Sequence, residues 1–286
     1  MWIALAINVA MLGAEAIGGV LTGSLAVLAD AGHLLSDVGS IALALFAASL
    51  AARPAAGRLT FGYQRSEILA ALVNGLLLVA VAVAVAISAF GRLASPPGID
   101  GAGVLALGLL ALAGNAGATA VLMRGQRADI NLEGVLRHSA ADALGAIGVV
   151  IAGTVVLVGG SAIVDPLVSL LISLLILSSS RRLIAEPLGV LMEAAPAGFD
   201  VDALGAAICA EEGVNSVHEL HFWTVTAGFG ALAAHVVTEP DADRDLVRRR
   251  LELLLHERFG IDHTTLQMEE RVEEALLRVE NAARES

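Results

Sequence analysis

The chain has 286 residues, of which 57% are hydrophobic and only 16% charged, with a mean hydropathy of +0.78. Soluble domains average about 45–50% apolar and about 25% charged residues, so an ordinary globular protein is excluded in favour of a membrane protein. The net charge of −12 is uneven: from Pro196 onward there are 18 acidic and 8 basic residues, against 11 and 9 before it.

Six apolar blocks run over residues 1–22, 25–50, 66–91, 100–123, 132–158 and 162–182, each close to the ~20 residues that a spanning helix needs. The first begins at Met1 without a charged leader or a cleavage site and reads as a retained helix. The connections near residues 23 and 160 are short enough for tight helical hairpins. Arg53, Arg58 and Arg65 fall in the second connection, Arg124, Arg127 and Arg137 around the fourth, and Arg181 and Arg182 close the sixth block. The positive-inside rule puts these clusters, and hence both termini, in the cytoplasm, leaving Arg92 outside.

Polar residues interrupt the blocks. Asn8, Asn74 and Asn115 suit hydrogen bonds between helices. Asp165-Pro166 reads as a helix start, with an acid at the positive end and proline in the first turn. Glu15 stands in the first block without an identifiable partner, so an ion or proton path stays open for it.

After Pro196 the pattern becomes that of a small α/β domain. Residues 199–211 read as a helix, 214–226 and 229–238 as strands, 241–259 as an amphipathic helix and 263–269 as a third strand, with a charged, solvated remainder. The expected fold is an α-helical membrane protein with six transmembrane helices and a C-terminal ferredoxin-like αββαβ domain in the cytoplasm. Domain limits follow: 1–185 for the membrane part, 186–198 for a linker and 199–286 for the soluble part. The acidity of that last part argues against nucleic acid as a partner and suits the attraction of cations.

The second block carries Asp30, His33 and Asp37, and the fifth carries His138 and Asp142. Each His-x-x-x-Asp pair spans one helical turn and so occupies one helix face. An ionisable group within hydrocarbon costs about 2.5–3.5 kcal/mol even on the mildest insertion scale, so such groups are seldom left unpaired. Two imidazoles and two carboxylates from two helices make four ligands for one divalent metal, and that donor set favours tetrahedral Zn²⁺ over the all-oxygen shells of Mg²⁺ and Ca²⁺. Cd²⁺ and Co²⁺ fit the same set. The ligands must be deprotonated to bind, so metal capture displaces protons, and histidine titrates in the useful range. A site opened alternately to each side would exchange metal for protons. All 17 basic residues are Arg, so no Gly-x-x-x-x-Gly-Lys phosphate loop exists and ATP drive is not expected. A single cysteine, Cys209, excludes an internal disulfide or a multi-cysteine metal site.

In the soluble part His218, His221, His235, His263 and Glu269 are candidate ligands. Strand side chains alternate, so His218 and His221 are expected on opposite faces and His263 and Glu269 on the same one. One of His218 and His221 is then expected to meet His235 and Glu269, with His256 solvated on the amphipathic helix.

The segments LTGSLAVLADAGHLLSD, FGYQRSEILAALVN, INLEGVLRHSAADALGAIGVV, DPLVSLLISLLIL and VHELHFWTVTAG, with HTTLQME, together resemble the cation diffusion facilitators of the zinc/cadmium/cobalt branch. The resemblance covers essentially the whole chain. It implies a homodimeric antiporter, not an enzyme, in a bacterial plasma membrane, exporting Zn²⁺ against protons with no organic cofactor. On matching positions His33, Asp37, His138 and Asp142 form the transport site. A cytoplasmic Zn²⁺ site falls to His218, His235 and Glu269, with His221 or His263 auxiliary. The family's charge interlock maps to Arg65 and Glu193, while the loop RPAAGRLTFGYQR lacks the His and Asp of a further metal site found in some relatives. A membrane-bound metal sensor is the rival reading and a channel the third, but a sensor needs only the soluble site.

Overall fold

A computed structural model describes residues 2–125, 132–226 and 228–270, and within these all side chains except those of 2–4, 121–125 and 132–138. The arginine-bearing connection after residue 125 and the charged remainder beyond 270 lie outside the described residues. The chain forms two compact units, Met1–Leu50 with Leu69–Ala185, and Ala51–Ile68 with Glu186–Ser286.

The first unit is built from α1 (Trp2–Thr22), α2 (Leu25–Ala51), α3 (Ser66–Ala94), α4 (Gly101–Gly125), α5 (Leu132–Leu157) and α6 (Val164–Leu191). All six helices are long and apolar enough to cross a membrane. The hairpin connections turn on Gly23 and Gly159, whose φ of 71° and 83° lie in the left-handed region that a side chain disfavours. Arg92 donates to the carbonyl of Gly23 at 2.6 Å, so the α1–α2 turn holds the lone arginine assigned to the outer side.

The sixth helix continues past Arg181 and Arg182, through Pro187, to Leu191. The arginines mark where the apolar stretch ends, not where the backbone must stop. A proline removes one amide donor, and the Leu, Ile, Ala and Glu around it favour helix.

Asp165 does something other than cap its own helix. It is 1% exposed, and its carboxylate accepts from Ser24 Oγ at 2.5 Å and from the amides of Leu25 at 2.8 Å and Ala26 at 3.3 Å. Ser24 Oγ in turn accepts from the amide of Val27 at 3.2 Å. Between them, Asp165 and Ser24 satisfy the first amides of α2, which have no partner within that helix. A negative charge there also meets the positive end of the helix dipole.

Helices α4 and α5 approach through glycine. A methyl group on Gly101 would come within 2.6 Å of the Leu157 amide, one on Gly108 within 2.9 Å of the Val150 amide, and one on Gly153 would strike the backbone of Leu105. Small residues let helices in a membrane close on one another backbone to backbone. Asn74 makes the expected bond between helices, accepting from Ser36 Oγ at 3.3 Å.

In the second unit α7 (Val201–Cys209), β1 (Val214–Thr226), β2 (Phe229–Thr238), α8 (Arg244–Phe259) and β3 (His263–Glu269) follow in the expected αββαβ order. The sheet order is β1-β2-β3, with β1 antiparallel and β3 parallel to β2. Asp200 and Asp243 cap the two helices, and Gly260 ends α8 with φ of 66°. Leu204 and Ile208 of α7 and Val247, Leu251 and Leu255 of α8 recur at helical spacing and bury Phe222, Leu232, Ala234 and Val236 of the sheet. The opposite face, bearing Ala233 and His235, carries the histidines.

Replacing Asp165 by Ala strands two buried backbone amides and one hydroxyl, a loss on the order of 2–3 kcal/mol. Thermal unfolding of the detergent-purified protein is expected to show a marked drop for Asp165→Ala and a smaller one for Asp165→Asn, which keeps one acceptor oxygen.

Candidate metal centres

In the membrane unit α2 presents His33 and Asp37 one turn apart, and α5 brings Asp142 against them. His33 Nε2 lies 3.0 Å from Asp142 Oδ1, with the two side chains 16% and 15% exposed. One ligand atom each from His33, Asp37 and Asp142 falls within 4.8 Å of the others. Ligands about 2.0–2.2 Å from a tetrahedral zinc lie roughly 3–4 Å apart, so small side-chain rotations close the set on an ion. The side chain of His138, one turn before Asp142 on α5, lies outside the described residues. Beside His33 and Asp142 is a cavity of about 30 Å³, bordered also by Asp30, Gly145, Ile176 and Ser179. That is room for one water-sized occupant.

Asp30 and Glu15 are both buried, at 5% and 2% exposed. Asp30 borders the cavity from the same helix that carries His33 and Asp37. Positions 30, 33 and 37 follow the i, i+3, i+7 stripe of one helix face.

In the soluble unit His218 and His235 stand opposite one another on β1 and β2, with ring centres 5.1 Å apart. Glu269, on β3, accepts from His218 Nε2 at 3.0 Å and from His235 Nδ1 at 2.7 Å. One ligand atom from each of the three lies within 4.8 Å of the others. Burial alone pushes the carboxyl of Glu269 up, but the hydrogen bonds from His218, Gln267 and His235 outweigh it and hold it below the ordinary value.

The expectation that His218 and His221 face opposite ways is corrected. His218 pairs with His235 and His221 with Ala233, two residues apart on β2, so both histidines lie on one face. An irregularity between His218 and His221 puts two residues of β1 where strict alternation allows one. His221 still stays out of the cluster, lining a separate cavity with Glu193, Trp223 and Ala233. His263 shares the face with Glu269 as expected, but its neighbours are aromatic: the rings of Phe229 and Phe61 lie 5.5 and 6.1 Å away. It pairs with Ala231, four residues before His235 on β2, or about 13 Å along the strand. Arg65 and Glu193 meet at 3.2 Å, as the interlock requires. His256 is exposed and bonded to Asp262 at 2.5 Å, outside the His218–His235–Glu269 cluster.

Family models extend over both units. The cation efflux transmembrane domain matches residues 1–192 and the cytoplasmic domain of cation efflux proteins matches residues 196–271. The chain belongs to the cation efflux family. The metal cation efflux system protein CzcD of Cupriavidus metallidurans is 38% identical over 268 residues, 93% of this chain and 85% of its own. A cadmium, cobalt and zinc/H(+)-K(+) antiporter of Bacillus subtilis is 36% identical over 260 residues, covering 89% and 83%. The zinc transporter ZitB of Escherichia coli is 34% identical over 257 residues, covering 89% and 82%. The resemblance to the zinc/cadmium/cobalt branch of the cation diffusion facilitators therefore holds across the chain. This cation efflux protein is a multi-pass membrane transporter of metal cations and not an enzyme.

A carboxyl held below its ordinary value stabilises the fold above its unfolded pKa, near 4.5, and loses that contribution as pH falls through the lower folded value. The metal-free fold of this efflux protein is therefore expected to lose stability below about pH 4.5, with part of that acid slope absent in Glu269→Gln. An unchanged slope in the variant would count against the His218–Glu269–His235 bonds.

Proposed function

We propose that this protein exports Zn²⁺ from the cytoplasm in exchange for protons. The ion is held by His33 and Asp37 of α2 with His138 and Asp142 of α5. The observation that carries this reading is the convergence of His33, Asp37 and Asp142 within 4.8 Å in a unit of spanning helices. His138 joins them by sequence, one turn from Asp142. Two nitrogens and two oxygens suit zinc, and the name of ZitB, a zinc transporter, points the same way. The antiporter of Bacillus subtilis is named for cadmium and cobalt as well, which keeps Cd²⁺ and Co²⁺ as alternative cargo.

Proton exchange follows from the ligands themselves. Every one must be deprotonated to hold the metal, so loading releases protons and reprotonation expels the ion. The soluble domain takes a further Zn²⁺ on His218, His235 and Glu269, and it joins two copies of the chain into a homodimer. The membrane part, residues 1–185, lies in the inner membrane with both termini in the cytoplasm, and 186–198 link it to the soluble domain at 199–286. Ligand pairs within two spanning helices favour transport over a metal sensor, which needs only the soluble site.

Zinc uptake into everted vesicles with an acid interior tests the cargo and its coupling. Ala at His33, Asp37, His138 or Asp142 is expected to cut the initial rate at least tenfold, and dissipating the pH gradient to do the same to the native protein. Uptake that ignores both manipulations overturns the exchange mechanism. Native mass spectrometry of the purified protein is expected to give a two-chain species, and a single-chain mass overturns the dimer.

A further inference from the structure

Among the described non-glycine residues only two have positive φ, Glu193 and Glu219, and Glu219 lies in β1 immediately after His218. Its φ of 47° is in the left-handed region, which costs a non-glycine residue free energy that the surrounding structure has to offset. Such residues concentrate where a side chain must be aimed, and bulges beside a site do that aiming. Here the irregularity between His218 and His221 turns the Glu219 carboxylate toward the histidine face. Its Oε2 lies 3.5 Å from His235 Nε2.

His235 therefore has a carboxylate on each side of its ring. Nδ1 is 2.7 Å from Glu269, on the side where His218 Nε2 also meets Glu269, and Nε2 looks toward Glu219. A metal-ligating imidazole must be bare at the ligating nitrogen and carry its proton on the other. An outer carboxylate that accepts this second N–H fixes the tautomer and the ring orientation.

We propose that Glu219 is the positioning residue of the cytoplasmic zinc site. It accepts the Nε2–H of His235, presents Nδ1 to the ion, and is kept in an unfavourable backbone conformation for that purpose. This rests on the reading above that His218, His235 and Glu269 bind zinc. Glu219 does not touch the metal. Losing an outer-shell partner of this kind typically weakens metal binding about 10–100-fold.

The discriminating substitution is Glu219→Gly, because glycine removes the carboxylate and also relieves the positive φ. The full-length protein would be tested with Asp37→Ala and Asp142→Ala in the background, so that bound zinc reports the soluble domain. Zinc affinity comes from competition with a chromophoric chelator, and metal-free stability from thermal unfolding. The expected result is an unchanged or higher unfolding midpoint together with about 10–100-fold weaker zinc binding. Glu219→Gln, which leaves the backbone demand in place, is expected to weaken zinc binding without raising the midpoint, and it serves alone should the glycine variant not fold. Zinc affinity within twofold of the parent in these variants, or stability and affinity falling together in Glu219→Gly, overturns the positioning role. His235→Ala and Glu269→Ala are run alongside. If they leave zinc binding intact, the site itself fails and the role of Glu219 fails with it; if they abolish binding while Glu219→Gly does not, only the positioning role is lost.

Discussion

A carboxylate set among apolar helices has little water to satisfy it, and at Asp165 and Asp142 of this protein another helix supplies the partner. Asp165 on α6 accepts from the first amides of α2, and Asp142 on α5 meets His33 on α2. The cost of a buried charge, several kcal/mol for an unsatisfied group, makes these contacts hard to break singly. The first contact sets where α2 begins. The second brings together side chains from two helices around a space fit for one small ion. A transport site needs both properties, because a ligand set that drifted would lose selectivity and one that never met would bind nothing.

The soluble unit solves a related problem with strands. Its sheet buries one face under α7 and α8 and keeps His218 and His235 on the other, where Glu269 ties their rings together. A carboxylate that is only 9% exposed and accepts from two imidazoles is a compact anionic centre, and a divalent cation can replace the shared protons there. Acidic composition alone, legible from the charge count, only draws cations near. The register of three strands makes a centre of definite geometry.

Much of this was readable in the residues, for identifiable reasons. Six long apolar runs and the His-x-x-x-Asp spacing on two of them depend on helical periodicity, which is local. The αββαβ order was legible because the turn glycines and the capping acids Asp200 and Asp243 punctuate the chain. What escaped depended on the tertiary fold. Nothing local distinguishes an Asp-Pro that starts its own helix from one that caps a helix 140 residues away, as Asp165 does for Leu25. The face of His221 departs from strict alternation because one irregularity in β1 reverses the parity of the residues that follow it, as far as Thr224. Asp30 could have been found from its place on the stripe with His33 and Asp37, whereas Glu219 could not, since its reach to His235 exists only in the distorted strand.

The glycine contacts between α4 and α5 have a mechanical meaning. Backbones in direct touch at Gly101, Gly108 and Gly153 leave no compliant layer of side chains between those helices, so they behave as one plank. The carboxylate of Asp165, by contrast, ties the start of α2 to the start of α6 at a single point. Asp142 rides on the plank and His33 and Asp37 on α2, so the 3.0 Å approach of His33 to Asp142 gauges how closely α2 lies against that stiff pair.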